Sequence, residues 1–115
     1  MSYPSMVRKF TGSSTSTGTI ALKLENIGFY SDDGTAAVYV ADTPLTTWDI
    51  QIGGAATVSI QGNEGDPDAA GDWYDISTVS ASGVVKDDRH TTFTRVKVDS
   101  YTSGTVAVRL AASEA

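Results

Sequence analysis

Apolar and polar residues alternate along most of this chain from residue 19 onward. Ile20, Leu22 and Leu24 are separated by Ala21 and Lys23, and successive side chains of a strand point to opposite faces of a sheet. This alternation predicts a half-buried β-strand. No segment keeps the apolar period of a helix over three turns. The pattern therefore predicts an all-β protein.

The first predicted hairpin turns at residues 33–34, which are Asp-Gly. A two-residue Asp-Gly loop favours a type I′ turn, whose twist matches that of the flanking strands. With this loop Phe29 lies opposite Val38, so that both apolar side chains share one face of the hairpin.

The second predicted hairpin turns near Gly53, between apolar positions that include Ile50 and Val58. A two-residue loop would set the apolar residues of its two strands on opposite faces. A three-residue loop at 53–55 instead pairs Ile50 with Val58 and keeps them on one face. A crossing of the chain from one sheet to another is the alternative for this segment.

The third predicted hairpin turns at residues 102–104, which are Thr-Ser-Gly. A three-residue loop commonly ends in a left-handed residue, and Gly104 suits that position. This loop pairs Val98 with Val108, both of which belong to alternating apolar runs.

The number and spacing of these strands predict the fold class. About eight or nine short strands with frequent turns indicate an all-β, antiparallel β-sandwich of jelly-roll-like form. Residues 11–19 contain only Thr, Ser and Gly, a composition typical of a flexible linker. We therefore interpret residues 1–18 as an extended N-terminal arm with its linker, and residues 19–115 as the single sandwich domain. A first edge strand is the alternative for residues 1–10.

Charge and cysteine content exclude several classes of partner. The formal net charge is −6, and residues 24–85 contain ten acids and no Lys or Arg. Such a segment repels phosphate backbones, so no nucleic-acid partner is expected. The absence of cysteine fits assembly in a reducing cytoplasm. No apolar stretch is long enough for a transmembrane helix, so no membrane partner is expected.

Candidate catalytic chemistry is sparse. His90 is the only histidine, and Asp87 and Asp88 lie near it in sequence. No Gly-x-Ser-x-Gly elbow accompanies it, and Ser82 lies in a predicted turn, so a Ser-His-Asp triad is not indicated. We predict a protein that is not an enzyme and has no cofactor.

An acidic loop spans residues 62–72 and is rich in oxygen donors, the ligands that Ca²⁺ prefers. Its spacing does not match an EF-hand loop. We therefore predict a solvated loop without metal. The alternative is a Ca²⁺ site formed by the loop carboxylates of Glu64, Asp66, Asp68 and Asp72.

Aromatic residues offer another kind of candidate site. Tyr39, Trp48, Tyr74 and Tyr101 would suit a sugar-binding platform if they lay on one surface. Trp48 and Trp73 flank strand patterns, however, and this position favours the core for both tryptophans.

The cadence of strands, acidic loop and closing glycine turn in residues 48–52, 56–62, 72–77 and 95–110 resembles the β-sandwich structural proteins of tailed-bacteriophage virions. The similarity is to small capsid decoration (cement) and head-fibre proteins, and these segments lie within a little over half the chain. The resemblance implies a non-enzymatic virion protein, without cofactors, on the exterior of an icosahedral capsid.

The same resemblance implies a homotrimer that is assembled in the host bacterial cytoplasm and binds the major capsid protein of a phage. The alternative is a carbohydrate- or receptor-binding module of a phage tail or fibre. A flexible arm would order on the shell when it binds. Its candidate contact residues are Tyr3, Met6, Val7, Arg8, Lys9 and Phe10.

Overall fold

The computed structural model describes residues 7–25, 34–43, 45–87 and 91–113. In this part of the chain the only helix is a single 3₁₀ turn, Ala70–Asp72, and no helix is long and apolar enough to cross a membrane. The strands are β1 (Val7–Ser14), β2 (Gly18–Thr19), β3 (Lys23–Leu24), β4 (Val38–Tyr39), β5 (Leu45–Ile52), β6 (Ala55–Asn63), β7 (Tyr74–Val79), β8 (Gly83–Asp87), β9 (Phe93–Ser103) and β10 (Val106–Ser113).

The strands form two antiparallel sheets. The first sheet has the order β3-β1-β10-β5-β8, and the second has the order β2-β9-β6-β7, with β4 also paired to β9. All of the strand pairs are antiparallel. The predicted antiparallel β-sandwich is confirmed.

The pairing is nested, with early strands bound to late ones. Strand β1 pairs with β10, β2 with β9, β5 with β8, and β6 with β7. This order of pairs arises when one long hairpin is rolled up, so that its two arms alternate between two sheets. It is the jelly-roll arrangement. The predicted jelly-roll-like form is therefore confirmed, and the structure adds the strand order.

The core lies between the inward faces of the two sheets. Each large apolar side chain removed from water there stabilises the fold by about 1.5–3 kcal/mol. The first sheet contributes Phe10, Trp48, Ile50, Val106, Val108, Leu110 and Ala112, the second contributes Val38, Ala56, Val58, Ile60, Val96 and Val98, and Ile20, Leu22 and Val40 complete the core from the connections.

The second and third predicted hairpins are wrong in their pairing. Strands β5 and β6 belong to different sheets, as do β9 and β10. Ile50 pairs with Val108 in the first sheet, and Val58 pairs with Val98 in the second. The alternative of a crossing between sheets is confirmed at Gly53. The pattern did not separate the two arrangements, because strands that face one core from opposite sides alternate in the same way as paired strands.

The two crossings pack against each other through backbone. The Gly53 N–H donates to the Thr105 carbonyl at 2.9 Å. Gly104 has the left-handed conformation that the sequence predicts, with φ +85°. A Cβ on Gly104 would lie 2.4 Å from the Gly54 nitrogen, so the approach requires glycine.

The N-terminal segment is part of the sandwich. Strand β1 pairs with β10 from Val7 opposite Ser113 to Ser14 opposite Val106, and β3 lies on its other side. The predicted arm and linker over residues 1–18 is therefore wrong for residues 7–14, which form a strand as in the alternative, although β1 lies between β3 and β10 and is not an edge strand. Residues 1–6 lie outside the described residues, as do Phe29 and Asp33 of the first predicted hairpin, so its pairing is not tested, whereas Gly34 of its turn has the left-handed φ of +91°.

Candidate binding surfaces

The candidate contact residues of the N-terminal segment are placed differently from one another. Tyr3 and Met6 lie outside the described residues, and Val7 begins β1. Phe10 is buried in the core, whereas Lys9 is exposed on the outside of the first sheet. The alternation of β1 explains this division, because neighbouring residues of one strand face opposite ways.

Arg8 is bound within the domain. Its guanidinium donates to the Thr43 hydroxyl oxygen at 2.7 Å and to the Tyr39 carbonyl, and it lies 5.7 Å from the centre of the Phe10 ring. These contacts connect β1 to the end of β4 and to the segment that follows it. Arg8 therefore fixes the two elements to each other, a role that the charge pattern did not indicate.

The acidic loop is organised around Asn63, which is fully buried at the end of β6. The Asn63 amide donates to the Asp66 carbonyl at 2.9 Å, and its oxygen accepts the Gly65 N–H at 2.6 Å. The Asp66 carboxylate accepts the Asp68 N–H at 2.9 Å. Because a buried amide needs such partners, Asn63 holds the loop in one conformation.

The loop carboxylates are not gathered into one site. Glu64 accepts a hydrogen bond from the Tyr74 hydroxyl at 2.6 Å, while Asp66 binds the backbone of its own loop. Within the described residues no three acidic or histidine side chains lie close enough together to hold a metal ion. The four carboxylates of the Ca²⁺ alternative, Glu64, Asp66, Asp68 and Asp72, therefore do not form a common ligand set.

One cluster of planar side chains lies on the outside of the second sheet, and we call Gln61, Trp73, Asp75 and Arg95 the Arg95 cluster. Gln61 donates to Asp75 at 2.9 Å and accepts the Arg95 Nε–H at 2.7 Å. The Arg95 guanidinium lies 4.1 Å from the centre of the Trp73 ring. Burial lowers the pKa of Arg95, but an arginine remains charged throughout the working range of proteins.

The two tryptophans have different environments. Trp48 is fully buried in the core, as predicted. Trp73 is only half-buried, and its indole N–H donates to the Pro67 carbonyl at 3.1 Å. The prediction that Trp73 is a core residue is wrong, because the residue precedes β7 and lies on the outside of the sheet, against Arg95.

The four aromatic residues of the predicted sugar platform do not meet. Trp48 is in the core, and Tyr39 packs edge-on against Phe93 with ring centres 5.5 Å apart. Tyr101 lies eight residues further along β9 than Phe93, about 26 Å away at the rise of a strand.

His90 and Asp88 lie outside the described residues, so the catalytic alternative is not tested.

The outside of the first sheet is a broad face with basic residues, and we call it the first outer face. One row across it consists of Lys9 on β1, Ala111 on β10, Thr47 on β5 and Lys86 on β8. Neighbouring strands lie about 4.8 Å apart. Two lysines therefore flank two small side chains in a row that contains no acid.

The adjacent row begins at Lys23 on β3 and continues through Thr11, Arg109 and Asp49 to Val84 on β8. Its acidic residue, Asp49, lies between Arg109 and Val84. These residues come from five strands and are remote in sequence. Only the register of the sheet brings them onto one surface.

Acidic side chains offset part of this positive charge. Glu25 forms a salt bridge with Arg109 at 3.0 Å, in which the Arg109 side chain remains 63% exposed. The Asp49 carboxylate accepts a hydrogen bond from Gln51 at 2.8 Å. An exposed ion pair of this kind contributes little to stability. Because most of its side chain is exposed, Arg109 remains accessible on the surface.

Exposed apolar side chains and shallow grooves also mark the first outer face. Leu45 is 38% exposed and Val84 is 60% exposed, and both point outward, since the inward positions of β5 and β8 alternate with them. One groove of about 430 Å³ is lined by Leu45, Thr46, Thr47, Lys86, Asp87 and Ser113. A second, of about 230 Å³, includes Thr11, Asp49, Gln51 and Arg109.

Comparison with known proteins finds the same fold in one solved structure. The crystal structure of SPBc2 prophage-derived protein YomS superposes with a TM-score of 0.67, at 15% sequence identity, over 99% of this chain and 98% of YomS. No protein-family model matches the chain, and no curated protein matches its sequence. At this identity the similarity shows the fold.

Proposed function

We propose that this chain is a non-enzymatic structural protein of a tailed bacteriophage, and that it decorates and stabilises the capsid by binding the outer surface of the major capsid protein. The observation that carries the proposal is the nearly end-to-end structural similarity to a prophage-derived protein. The resemblance of residues 48–110 to virion decoration proteins gives the finer assignment.

The form of the domain suits a role in association. Two packed sheets hold their outward side chains on a rigid backbone, so little conformational entropy is lost when such a face binds. We further propose that the protein binds as a homotrimer, because a cyclic oligomer fits the symmetric positions of an icosahedral shell. Several contacts made together would strengthen the attachment.

The test uses the phage or prophage whose genome encodes this chain. We expect mass spectrometry to detect the protein in purified particles. A gold-labelled antibody against the protein should bind to the head of the particle. Particles made without its gene should release DNA at a lower temperature, as measured with a fluorescent dye. Addition of the purified protein to those particles should restore the release temperature.

The matched control is the same addition with heat-unfolded protein, which should restore nothing. Absence of the protein from purified particles would overturn the proposed function. Label on the tail instead of the head would keep a structural role but overturn capsid decoration. Light scattering of the purified protein gives its mass, and a strict monomer would overturn the proposed trimer.

A second function is favoured by the Arg95 cluster. A half-buried Trp beside an amide, a carboxylate and a guanidinium offers an apolar surface and hydrogen-bonding groups of the kind that ligand sites use. This arrangement supports a carbohydrate- or receptor-binding module of a tail or fibre, which a glycan array with the Trp73→Ala variant as control would test.

A further inference from the structure

Charge is segregated between the surfaces of this protein. The first outer face has four cationic side chains, those of Lys9, Lys23, Lys86 and Arg109, against three acids, which are Glu25, Asp49 and, in the groove beside Lys86, Asp87. Acids outnumber bases among the remaining described residues. The whole chain has a net charge of −6. An approaching acidic surface is therefore attracted to one face and repelled by the rest of the molecule.

The shape and chemistry of the first outer face also suit a protein partner. Small side chains such as Ala107, Ala111 and Thr47 lie among its longer charged residues, so another surface can approach closely. Two of the four large apolar side chains that are exposed in the described chain, Leu45 and Val84, lie here. Their burial would add hydrophobic stabilisation to the electrostatic attraction.

A nucleic acid fits this face less well than a protein does. Phosphate backbones are bound by arrays of Lys and Arg that release many counterions. Here the acids Glu25, Asp49 and Asp87 interrupt the basic residues, and the net negative charge of the chain opposes binding of a polyanion. An acidic protein surface needs fewer cations, and it also uses the apolar residues and the grooves.

We propose that the first outer face is the surface through which this protein binds the phage shell, and that the shell surface it contacts is acidic. This inference rests on the proposed function and deepens it by assigning the face and the charge of the partner. Lys86 is central to it, because its side chain lies at the groove that Leu45 also lines.

The experiment measures binding of purified variants to particles made without the gene, by co-sedimentation at several salt concentrations. Lys86→Glu should weaken binding, and Lys9→Glu combined with Lys86→Glu should weaken it at least about tenfold, since each reversal places like charges together. Binding of the unchanged protein should weaken as salt rises. The matched control is Lys97→Glu, a strand lysine on the second sheet beside Ser59, which should bind within about twofold of the unchanged protein.

The outcomes separate this inference from the function it rests on. If the unchanged protein binds and Lys97→Glu weakens binding as much as Lys86→Glu, the assigned face is wrong while capsid decoration stands. If the unchanged protein does not bind the particles, both the assigned face and capsid decoration are wrong. A gel shift with DNA that Lys86→Glu abolishes, or a self-associated form that the same variant dissociates, would overturn the acidic shell partner. Thermal unfolding confirms that each variant is folded.

Discussion

At the scale of single residues, the corner between the sheets depends on glycine. Gly54 and Gly104 approach so closely that a Cβ on Gly104 would lie 2.4 Å from the Gly54 nitrogen, and one on Gly54 would lie 2.3 Å from the Ser103 carbonyl oxygen. Backbone lines both sides of this contact, so a side chain cannot be accommodated by a rotamer change. The corner fixes where β9 ends and β10 begins.

We predict that Gly104→Ala lowers the free energy of unfolding by about 2–4 kcal/mol, because it adds a backbone clash to the strain of a left-handed alanine. Gly71→Ala is the control, since nothing lies within 4 Å of its added Cβ and φ there is not in the left-handed region. Its stability should change by less than about 1 kcal/mol. Urea unfolding measures both variants, and equal losses would contradict the prediction.

Which way a strand residue faces was predictable from the sequence, whereas what covers it was not. The alternation correctly placed Ile20 and Leu22 inside and Lys23 outside. Ser59 and Asn63 point outward from β6, yet both are buried. Their cover comes from Asp99 and Thr78 for Ser59, and from the acidic loop for Asn63. Burial of an outward side chain depends on which other segments pack over it. The alternation of apolar and polar residues along one strand does not encode that packing.

At the scale of elements, the pairing of strands was the part that the sequence did not specify. Apart from Thr46 and Thr94, the buried inward side chains of β5, β6, β9 and β10 are apolar, so neighbouring strands in sequence match one another whether they pair or face each other across the core. Loop length did not decide between these cases, because Gly53-Gly54 and Ser103-Gly104 suit a tight hairpin and a tight corner equally. Packing between segments that are remote in sequence decides which strands pair.

We predict that deleting residues 1–14 abolishes cooperative thermal unfolding, because it removes β1 from between β3 and β10 and takes Phe10 from the core. Phe10→Ala alone should cost about 3–5 kcal/mol. Deletion of residues 1–6 is the matched control, since it leaves the whole β1–β10 ladder intact. Circular dichroism on heating measures all three, and a cooperative transition after the longer deletion would show that β1 is dispensable.

At the scale of the whole molecule, the first outer face illustrates why a site on a sheet is difficult to find in a sequence. Lys9, Lys23, Lys86 and Arg109 are scattered through the chain and belong to four strands. Each is unremarkable as a surface charge in its own segment. Their common surface follows from the order β3-β1-β10-β5-β8, so it appears only when the nested pairing is known.

We predict slow refolding, in the range of milliseconds to seconds at 25 °C, because the nested pairs join segments that are far apart in sequence and loop closure must precede them. Fluorescence in a stopped-flow instrument measures the rate, with fully buried Trp48 as the reporter and Trp73→Phe to remove the surface signal. Complete refolding in microseconds would contradict this expectation.

The antiparallel pairing of the first and last strands also determines how the molecule responds to force. Val7 and Ser113 lie side by side at the same end of the β1–β10 ladder. A pull on the two chain ends would therefore open this ladder one hydrogen bond at a time, as a zipper opens, and would not load all the bonds together. The domain should resist tension poorly between its own ends, so a durable mechanical link would have to pass through its faces.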